Sequence, residues 1–179
     1  MNEVETKILN VDKSQLESKL NSLGAKKILD TKLVVNWYRP QGCTDGQDPW
    51  FLRIRSYSDG KSEVTWKGKS TVLGVARQHP EINLLTSEPT KLSELFKAIG
   101  LELYAHQEKY RLSWILDDYR FDLDQYPQMP AYLEIEGQSE DHIQAAIKLL
   151  DLTEHEASSE GERVLIQTKY SLNWHDMKF

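Results

Sequence analysis

Charged side chains recur at every second position near the start of this chain. In a β-strand, the stretch Glu3-Val4-Glu5-Thr6-Lys7 would place both glutamates and the lysine on one face, with Val4 and Thr6 on the other. Carboxylate oxygens are the ligands that Mg²⁺ prefers, and cationic side chains bind phosphate groups. The stretch therefore indicates part of a site for a divalent cation and a phosphate.

Five later stretches repeat this pattern, at 51–55, 63–67, 109–114, 120–124 and 132–136. One such strand would indicate only an ordinary half-exposed sheet, but six in one short chain favour a shared site. The cations suit a polyphosphate and are Lys7, Arg53, Arg55, Lys67, Lys109 and Arg111. The carboxylates suit Mg²⁺ or Mn²⁺ and are Glu3, Glu5, Asp122, Asp124, Glu134 and Glu136. Phosphoryl chemistry requires this combination of metal ligands and cations.

Composition limits the classes of protein that fit. The length of 179 residues predicts a single domain spanning 1–179, and the net charge of −6 argues against nucleic-acid or anionic-membrane binding by bulk charge. Cys43 is the only cysteine, so no intrachain disulfide can form, and no apolar run is long enough to span a membrane. The acidic N-terminal stretch is unlike a signal peptide, and we expect a cytoplasmic protein.

Periodicity and turn residues predict about eight strands and four helices in an α+β fold. Asp12 is a predicted helix N-cap, Glu140 and Asp141 suit the first turn of a helix that begins at Ser139, Asp59-Gly60 is a hairpin turn, and Ser159 with Glu162 resembles a capping box for the last helix. The predicted strands are 2–10, 26–38, 50–57, 62–68, 74–84, 102–115, 118–125 and 131–138. The first three helices are predicted at 12–23, 90–99 and 139–150.

An antiparallel sheet of this size tends to close into a barrel, which removes its edges. The charged faces could then point to water or line a lumen. The amphipathic helices need an apolar surface to pack on, which favours a charged lumen with helices outside. Such a lumen requires paired charges, bound metal or a bound ligand.

Other motifs give little support to other chemistries. The stretch Gly68-Lys69-Ser70-Thr71 lacks the glycine that a P-loop needs at position 63, which is Glu63. The histidines have no zinc-ligand spacing, and Cys43 is expected to be an inert thiol. Trp66 and Trp114 fall on the apolar sides of their strands, which predicts packing rather than base stacking.

The order of these motifs resembles that of the CYTH proteins, also called triphosphate tunnel metalloenzymes. The resemblance runs from Glu3 to about Leu150 and rests on Glu3-x-Glu5-x-Lys7, Arg53-x-Arg55, Lys67 in Thr-Trp-Lys-Gly, Lys109-x-Arg111 and Glu134-x-Glu136. It implies a closed eight-stranded antiparallel β-barrel with a charged tunnel, a divalent metal and a triphosphate substrate. It also implies that the cations bind the triphosphate and that the glutamates bind the metal, together with Asp124 or Asp122.

The fifth strand departs from the family pattern Arg-x-Glu-x-Glu. Here Glu81 corresponds to the first glutamate as a metal ligand, Asn83 replaces the second, and either Arg77 or His79 supplies the basic residue for substrate. The candidate catalytic residues are Glu5, Glu136 and Lys109. Lys109 could act as a general base if burial among cations lowered its pKa, and a metal-bound hydroxide is the simpler alternative.

Within the family, the opening motif and the Tyr132–Gly137 stretch are most similar to the class IV adenylate cyclase group. The first hypothesis is therefore conversion of ATP to cyclic AMP and pyrophosphate, and the second is hydrolysis of thiamine triphosphate or inorganic triphosphate. A non-catalytic module that binds polyphosphate or a nucleotide is a third hypothesis, and a surface mosaic of charges without ligand is a fourth. A homodimer is compatible with the sequence.

Overall fold

The computed structural model describes residues 2–179, and most of its elements lie where the patterns predict them. The helices are α1 (Lys13–Ser22), α2 (Pro89–Ala98), α3 (Glu140–Leu149) and α4 (Glu162–Lys169). The long strands are β1 (Asn2–Ile8), β2 (Lys26–Pro40), β3 (Phe51–Tyr57), β4 (Ser62–Lys67), β6 (Ala76–Thr86), β7 (Leu101–Leu116), β8 (Tyr119–Gln125) and β9 (Tyr132–Gly137). The short strands are β5 (Thr71–Leu73), β10 (Ala157–Ser158) and β11 (Asp176–Met177).

Eight strands form a closed antiparallel barrel, as predicted. The hydrogen-bonded circuit runs β1-β9-β8-β7-β2-β3-β4-β6, and pairing of β6 with β1 closes it. In that last pairing Glu5 lies opposite Arg77, and Glu3 lies opposite His79. Closure leaves none of these eight strands as a free edge.

Alternation along the strands separates a polar lumen from an apolar outer layer. Outward-facing side chains such as Val4, Phe121 and Ile135 belong to a core that α1 and α3 cover with Leu20 and Ile143. A smaller outer core packs Tyr38 and Ile54 against Phe96 of α2. The predicted arrangement of helices outside a charged barrel is therefore confirmed for these three helices. Trp114 is buried in the first core, as its predicted packing role requires.

Helix α4 lies across one end of the lumen. Its Leu165 and Ile166 join a core with Val35 and Trp37 of β2. These β2 residues lie opposite Arg55 and Arg53 of β3, so they point inward. We call this the α4 end of the tunnel. The opposite end, where Glu3, Glu81 and Glu136 lie, is called the acidic end.

The last part of the chain differs from prediction. The capping box of Ser159 with Glu162 is wrong, because Gly161 is the N-cap of α4 and no side chain caps this helix. The three short strands were not predicted, since two or three residues carry no readable alternation. Among the described residues, no helix is long and apolar enough to cross a membrane.

The Ser139 cap gives a prediction with a matched control. Its hydroxyl oxygen accepts a hydrogen bond from the backbone N–H of His142 at 3.2 Å, which satisfies one unpaired donor of α3. Ser139→Ala should lower the free energy of unfolding by about 1 kcal/mol in urea titrations. Ser159→Ala, at the wrongly predicted cap, should change it much less, and equal losses would contradict the assignment.

Candidate active site in the tunnel

The barrel brings all the sequence-predicted site residues to one lumen, because each lies at an inward-facing position of its strand. Register confirms the shared face: Glu5 lies opposite Glu136, Lys7 opposite Glu134, and Arg111 opposite Asp124. The strands contribute Glu3, Glu5 and Lys7 (β1), Arg53 and Arg55 (β3), Lys67 (β4), Arg77 and Glu81 (β6), Lys109 and Arg111 (β7), Asp122 and Asp124 (β8), and Glu134 and Glu136 (β9).

A carboxylate cluster on β8 and β9 is the best candidate metal site. Ligand oxygens of Asp122, Glu134 and Glu136 lie within 4.8 Å of one another. Burial, together with repulsion from Glu3, Asp122 and Glu134, raises the pKa of Glu136 to about 9. Its ion pair with Arg120 is long, at 3.8 Å. A carboxyl that lacks a close counterion and lies beside two other carboxyls fits a divalent cation, which prefers hard oxygen ligands.

A second cluster, Glu3, Glu5 and His79, also has ligand atoms within 4.8 Å of one another. Burial would raise the pKa of Glu5, but the positive charges of Lys67, Arg77 and Lys7 outweigh it and hold that pKa well below its usual range. Glu3 accepts a hydrogen bond from Lys67 at 2.8 Å, and its carboxylate lies 2.7 Å from His79 Nε2, at hydrogen-bond distance. Close cations pair with both carboxylates of this cluster, whereas Glu136 of the first cluster has, among the described residues, only its long pair with Arg120, so the second cluster fits a metal less well.

Two arginines on β3 supply unsatisfied donors. The Nε atoms of Arg53 and Arg55 are buried and have no hydrogen-bond partner. Arg55 still donates to Glu63 at 2.5 Å, whereas no carboxylate of the described residues lies within 4.0 Å of the Arg53 guanidinium. Arg53 is only 8% exposed and lies 5.3 Å over the ring of Trp37. A buried cation without a counterion is costly and indicates an anion site.

Strand β6 corresponds to the fifth strand of the family pattern, and both of its candidate basic residues contact glutamates of β1. Arg77 donates through its Nε to Glu5 at 2.7 Å, and His79 contacts Glu3. Glu81 pairs with Lys67 at 2.7 Å, and Asn83 donates to Glu81 at 2.5 Å. Arg77 and His79 therefore both face the lumen, two residues apart on the same face of β6.

Arg111 is the centre of the ion-pair network on β7 and β8. Its guanidinium donates to Asp122 at 2.5 Å and to both oxygens of Asp124 at 2.6 Å. Burial opposes ionisation of Asp124, but Arg111 and Lys109 outweigh it and lower its pKa. Both aspartates are engaged by cations, but only Asp122 has an oxygen within 4.8 Å of those of Glu134 and Glu136, so Asp122 is the better placed of the two predicted metal ligands.

The surroundings of Lys109 differ from the premise of its predicted base role. It does not lie among cations alone, because its ammonium donates to Asp124 at 2.7 Å and to Glu162 at 2.6 Å. Two carboxylates at hydrogen-bond distance hold the ammonium in place. The geometry favours Lys109 as a fixed cation.

Comparison with known proteins identifies the family. Residues 1–165 match the CYTH domain. The chain belongs to the CYTH family. A search of curated proteins found no match.

Solved structures share the CYTH fold at low sequence identity. A Pyrococcus horikoshii protein, PH1012, is 23% identical with a TM-score of 0.71, covering 86% of this chain and 94% of its own. A candidate adenylate cyclase from Vibrio parahaemolyticus is 14% identical with a TM-score of 0.68, covering 99% and 92%. A candidate adenylyl cyclase from Hippeastrum, described as having a dominant triphosphatase activity, is 13% identical with a TM-score of 0.66, covering 93% and 96%.

Two lumen residues of this CYTH chain are not among the site residues predicted from the sequence. Arg120 lies two positions before Asp122 and donates to it at 3.1 Å, so the alternation could have identified it. Glu162 is the first residue of α4, and its side chain makes no capping hydrogen bond. Its carboxylate instead accepts hydrogen bonds from Lys109, Tyr126 and Tyr132. The available signal was helical spacing, since Glu162 shares a stripe with the buried Leu165 and Ile166.

Proposed function

We propose that this CYTH chain binds a triphosphate in its tunnel and acts on it with a divalent metal ion, Mg²⁺ or Mn²⁺. The observation that carries the proposal is the separation of unsatisfied charge across one lumen. Arg53 and Arg55 have buried donors without partners, while Glu136 is a half-buried carboxyl repelled by its neighbours. A metal–triphosphate complex supplies an anion to the first and a cation to the second.

Different lumen residues would bind the metal ion and the phosphate groups. Asp122, Glu134 and Glu136 would hold the metal ion, which when bound neutralises charge on phosphate oxygens and lowers the pKa of water. Arg53 and Arg55 bind phosphate oxygens and keep their charge throughout. Lys67 and Arg77 would turn from Glu5 toward the bound phosphates. The buried cations stabilise negative charge that grows on the oxygens as the phosphorus–oxygen bond breaks.

Hydrolysis of the triphosphate is the reaction that the lumen favours. The cavity at the acidic end is lined almost entirely by charged and polar side chains, including Arg55, Glu63, Asp122 and Glu136. Such walls fit a chain of phosphates and water but give a purine ring no apolar surface. The dominant triphosphatase activity described for the Hippeastrum protein supports this choice.

Formation of cyclic AMP from ATP is the second candidate, and a specific feature favours it. The cavity at the α4 end is lined by Trp37, Phe51 and Trp174 beside Arg53. Aromatic rings next to a phosphate-binding arginine could accept a base or another aromatic group, such as that of thiamine triphosphate. The ribose 3′-hydroxyl would then attack the α-phosphorus and release pyrophosphate.

Arg53→Ala tests the proposed function at its central observation. In assays with Mg²⁺ or Mn²⁺, we expect the wild-type protein to release orthophosphate from tripolyphosphate. Arg53→Ala should reduce kcat/KM by about 100-fold, because a buried phosphate contact is lost. Lys32→Ala is the matched control, since Lys32 pairs with Glu108 outside the barrel and its loss removes the same charge.

The products separate the alternatives in the same experiment. Orthophosphate from tripolyphosphate, ATP or thiamine triphosphate supports hydrolysis, while cyclic AMP and pyrophosphate from ATP support the cyclase. Tight binding without any product would favour a non-catalytic module. Equal activity of Arg53→Ala and the wild type would refute a triphosphate site in the tunnel.

A further inference from the structure

Glu162 places a carboxylate among the cations at the α4 end of the tunnel. Its Oε1 accepts hydrogen bonds from Lys109 Nζ and from the Tyr132 hydroxyl, both at 2.6 Å. Its Oε2 accepts from the Tyr126 hydroxyl at 3.0 Å. Burial alone would raise the pKa of Glu162, but Lys109, Lys7 and Arg53 outweigh it and hold that pKa well below its usual range. The side chain is therefore a fixed anion.

This anion lies within reach of the tunnel contents. Glu162 lines the same cavity as Arg53, Lys67 and Arg77. Trp37 and Trp174, whose ring centroids lie 5.3 Å apart, line the same cavity, and the guanidinium of Arg163 there is already paired with Asp48 at 2.6 Å. Glu162 thus places a carboxylate beside the cations that a phosphate chain would meet at this end of the tunnel.

We propose that Glu162 takes the place of a phosphate group at the α4 end and thereby limits the length of the phosphate chain that the tunnel accepts. This inference rests on the proposed function. A phosphate next to Glu162 would have to share Lys109 and Lys7 with a carboxylate, and the two like charges would repel each other in a poorly solvated site. Repulsion of a longer chain is a means of specificity that attraction alone does not supply.

Loss of the Glu162 charge should not detach helix α4 from the barrel. Helix α4 has other anchors, since Arg163 pairs with Asp48 at 2.6 Å and Leu165 and Ile166 are buried. In Glu162→Gln, Lys109 keeps Asp124 as a partner, and the amide oxygen can still accept from Tyr132. The variant should fold, so a change in its selectivity reports on charge rather than on the loss of α4.

Isothermal titration calorimetry with linear tripolyphosphate and tetrapolyphosphate, in buffer with EDTA, tests the inference without turnover. Wild-type protein should bind tripolyphosphate in preference to tetrapolyphosphate. Glu162→Gln should shift the ratio of the two dissociation constants toward tetrapolyphosphate by about tenfold. Glu162→Asp, which keeps the charge but withdraws it by one methylene, should shift the ratio in the same direction by less. Glu160→Gln removes an exposed acid just before α4 and should leave the ratio unchanged.

The outcomes separate this inference from the function on which it rests. If wild type binds both chains but neither Glu162 variant changes the ratio, the inference is overturned and the triphosphate site stands. If wild type binds neither chain, the inference is overturned, and the proposed function fails with it if tripolyphosphate also yields no orthophosphate with Mg²⁺ or Mn²⁺. Thermal unfolding of each variant checks that folding is retained, and Glu162→Asp carries the test if Glu162→Gln does not fold.

Discussion

Replacing Arg111 by alanine should lower the free energy of unfolding by about 3–5 kcal/mol, the largest stability effect expected in the lumen. Arg111 is 5% exposed and contacts three carboxylates, Asp122, Asp124 and Glu134, and the first two of these are fully buried. Without the guanidinium, Asp122 keeps the half-exposed Arg120, and Asp124 keeps Lys109 and the Tyr132 hydroxyl. Buried carboxylates that lose their counterion incur their desolvation cost without compensation.

Arg120→Ala is the matched control for this prediction. Arg120 also pairs with Asp122, at 3.1 Å, but its side chain is 38% exposed. Solvent screens such a pair, so its loss should cost about 1 kcal/mol or less. Urea unfolding of the two variants measures the difference. Similar losses of unfolding free energy in Arg111→Ala and Arg120→Ala would show that the ion-pair network is distributed over the lumen rather than centred on Arg111.

Strand alternation was sufficient to predict the barrel and most of its lumen. Charges at i and i+2 face one side regardless of which strands pair, so Arg53 with Arg55 and Glu134 with Glu136 could be assigned from local sequence. The barrel followed because an antiparallel sheet with one apolar face needs closure and outer helices. These inferences depend on backbone geometry that each segment carries by itself.

The pairing of charges could not be predicted, because closure of the barrel decides it. Arg77 meets Glu5 only because β6 pairs with β1 across 72 residues of sequence. Lys109 was placed among cations, yet Asp124 and Glu162 surround its ammonium. Glu162 itself was assigned to a capping box, since a glutamate near a helix start satisfies that local pattern equally well. The unpaired state of Arg53 is likewise a property of the assembled lumen.

Glu136→Gln should abolish most turnover while stabilising the metal-free protein. Glu136 belongs to the carboxylate cluster that we assign to the metal ion, and even residues that only support a metal ligand cost about 10–100-fold when lost, so kcat/KM should fall by at least about 100-fold. Its folded-state pKa of about 9 lies above the ordinary value of 4.5. At pH 7 folding therefore forces a proton onto this carboxyl, and that cost disappears in the neutral amide. The free energy of unfolding should rise by about 1 kcal/mol in EDTA, after allowance for the partial exposure of the side chain.

Glu63→Gln gives the opposite expectation in the same lumen. Glu63 accepts from Arg55 at 2.5 Å and from Thr65 at 3.2 Å, so its charge is compensated, and its loss should destabilise the fold while leaving most turnover intact. Orthophosphate release with Mg²⁺ and urea unfolding in EDTA should be measured on Glu136→Gln and Glu63→Gln. Each variant then gives one change in activity and one change in unfolding free energy relative to wild type. If both variants lose activity and stability alike, the assignment of surplus negative charge to Glu136 is wrong. If Glu136→Gln loses turnover but gains stability, while Glu63→Gln does the reverse, then the carboxyl that destabilises the metal-free fold is also the one that the metal ion requires.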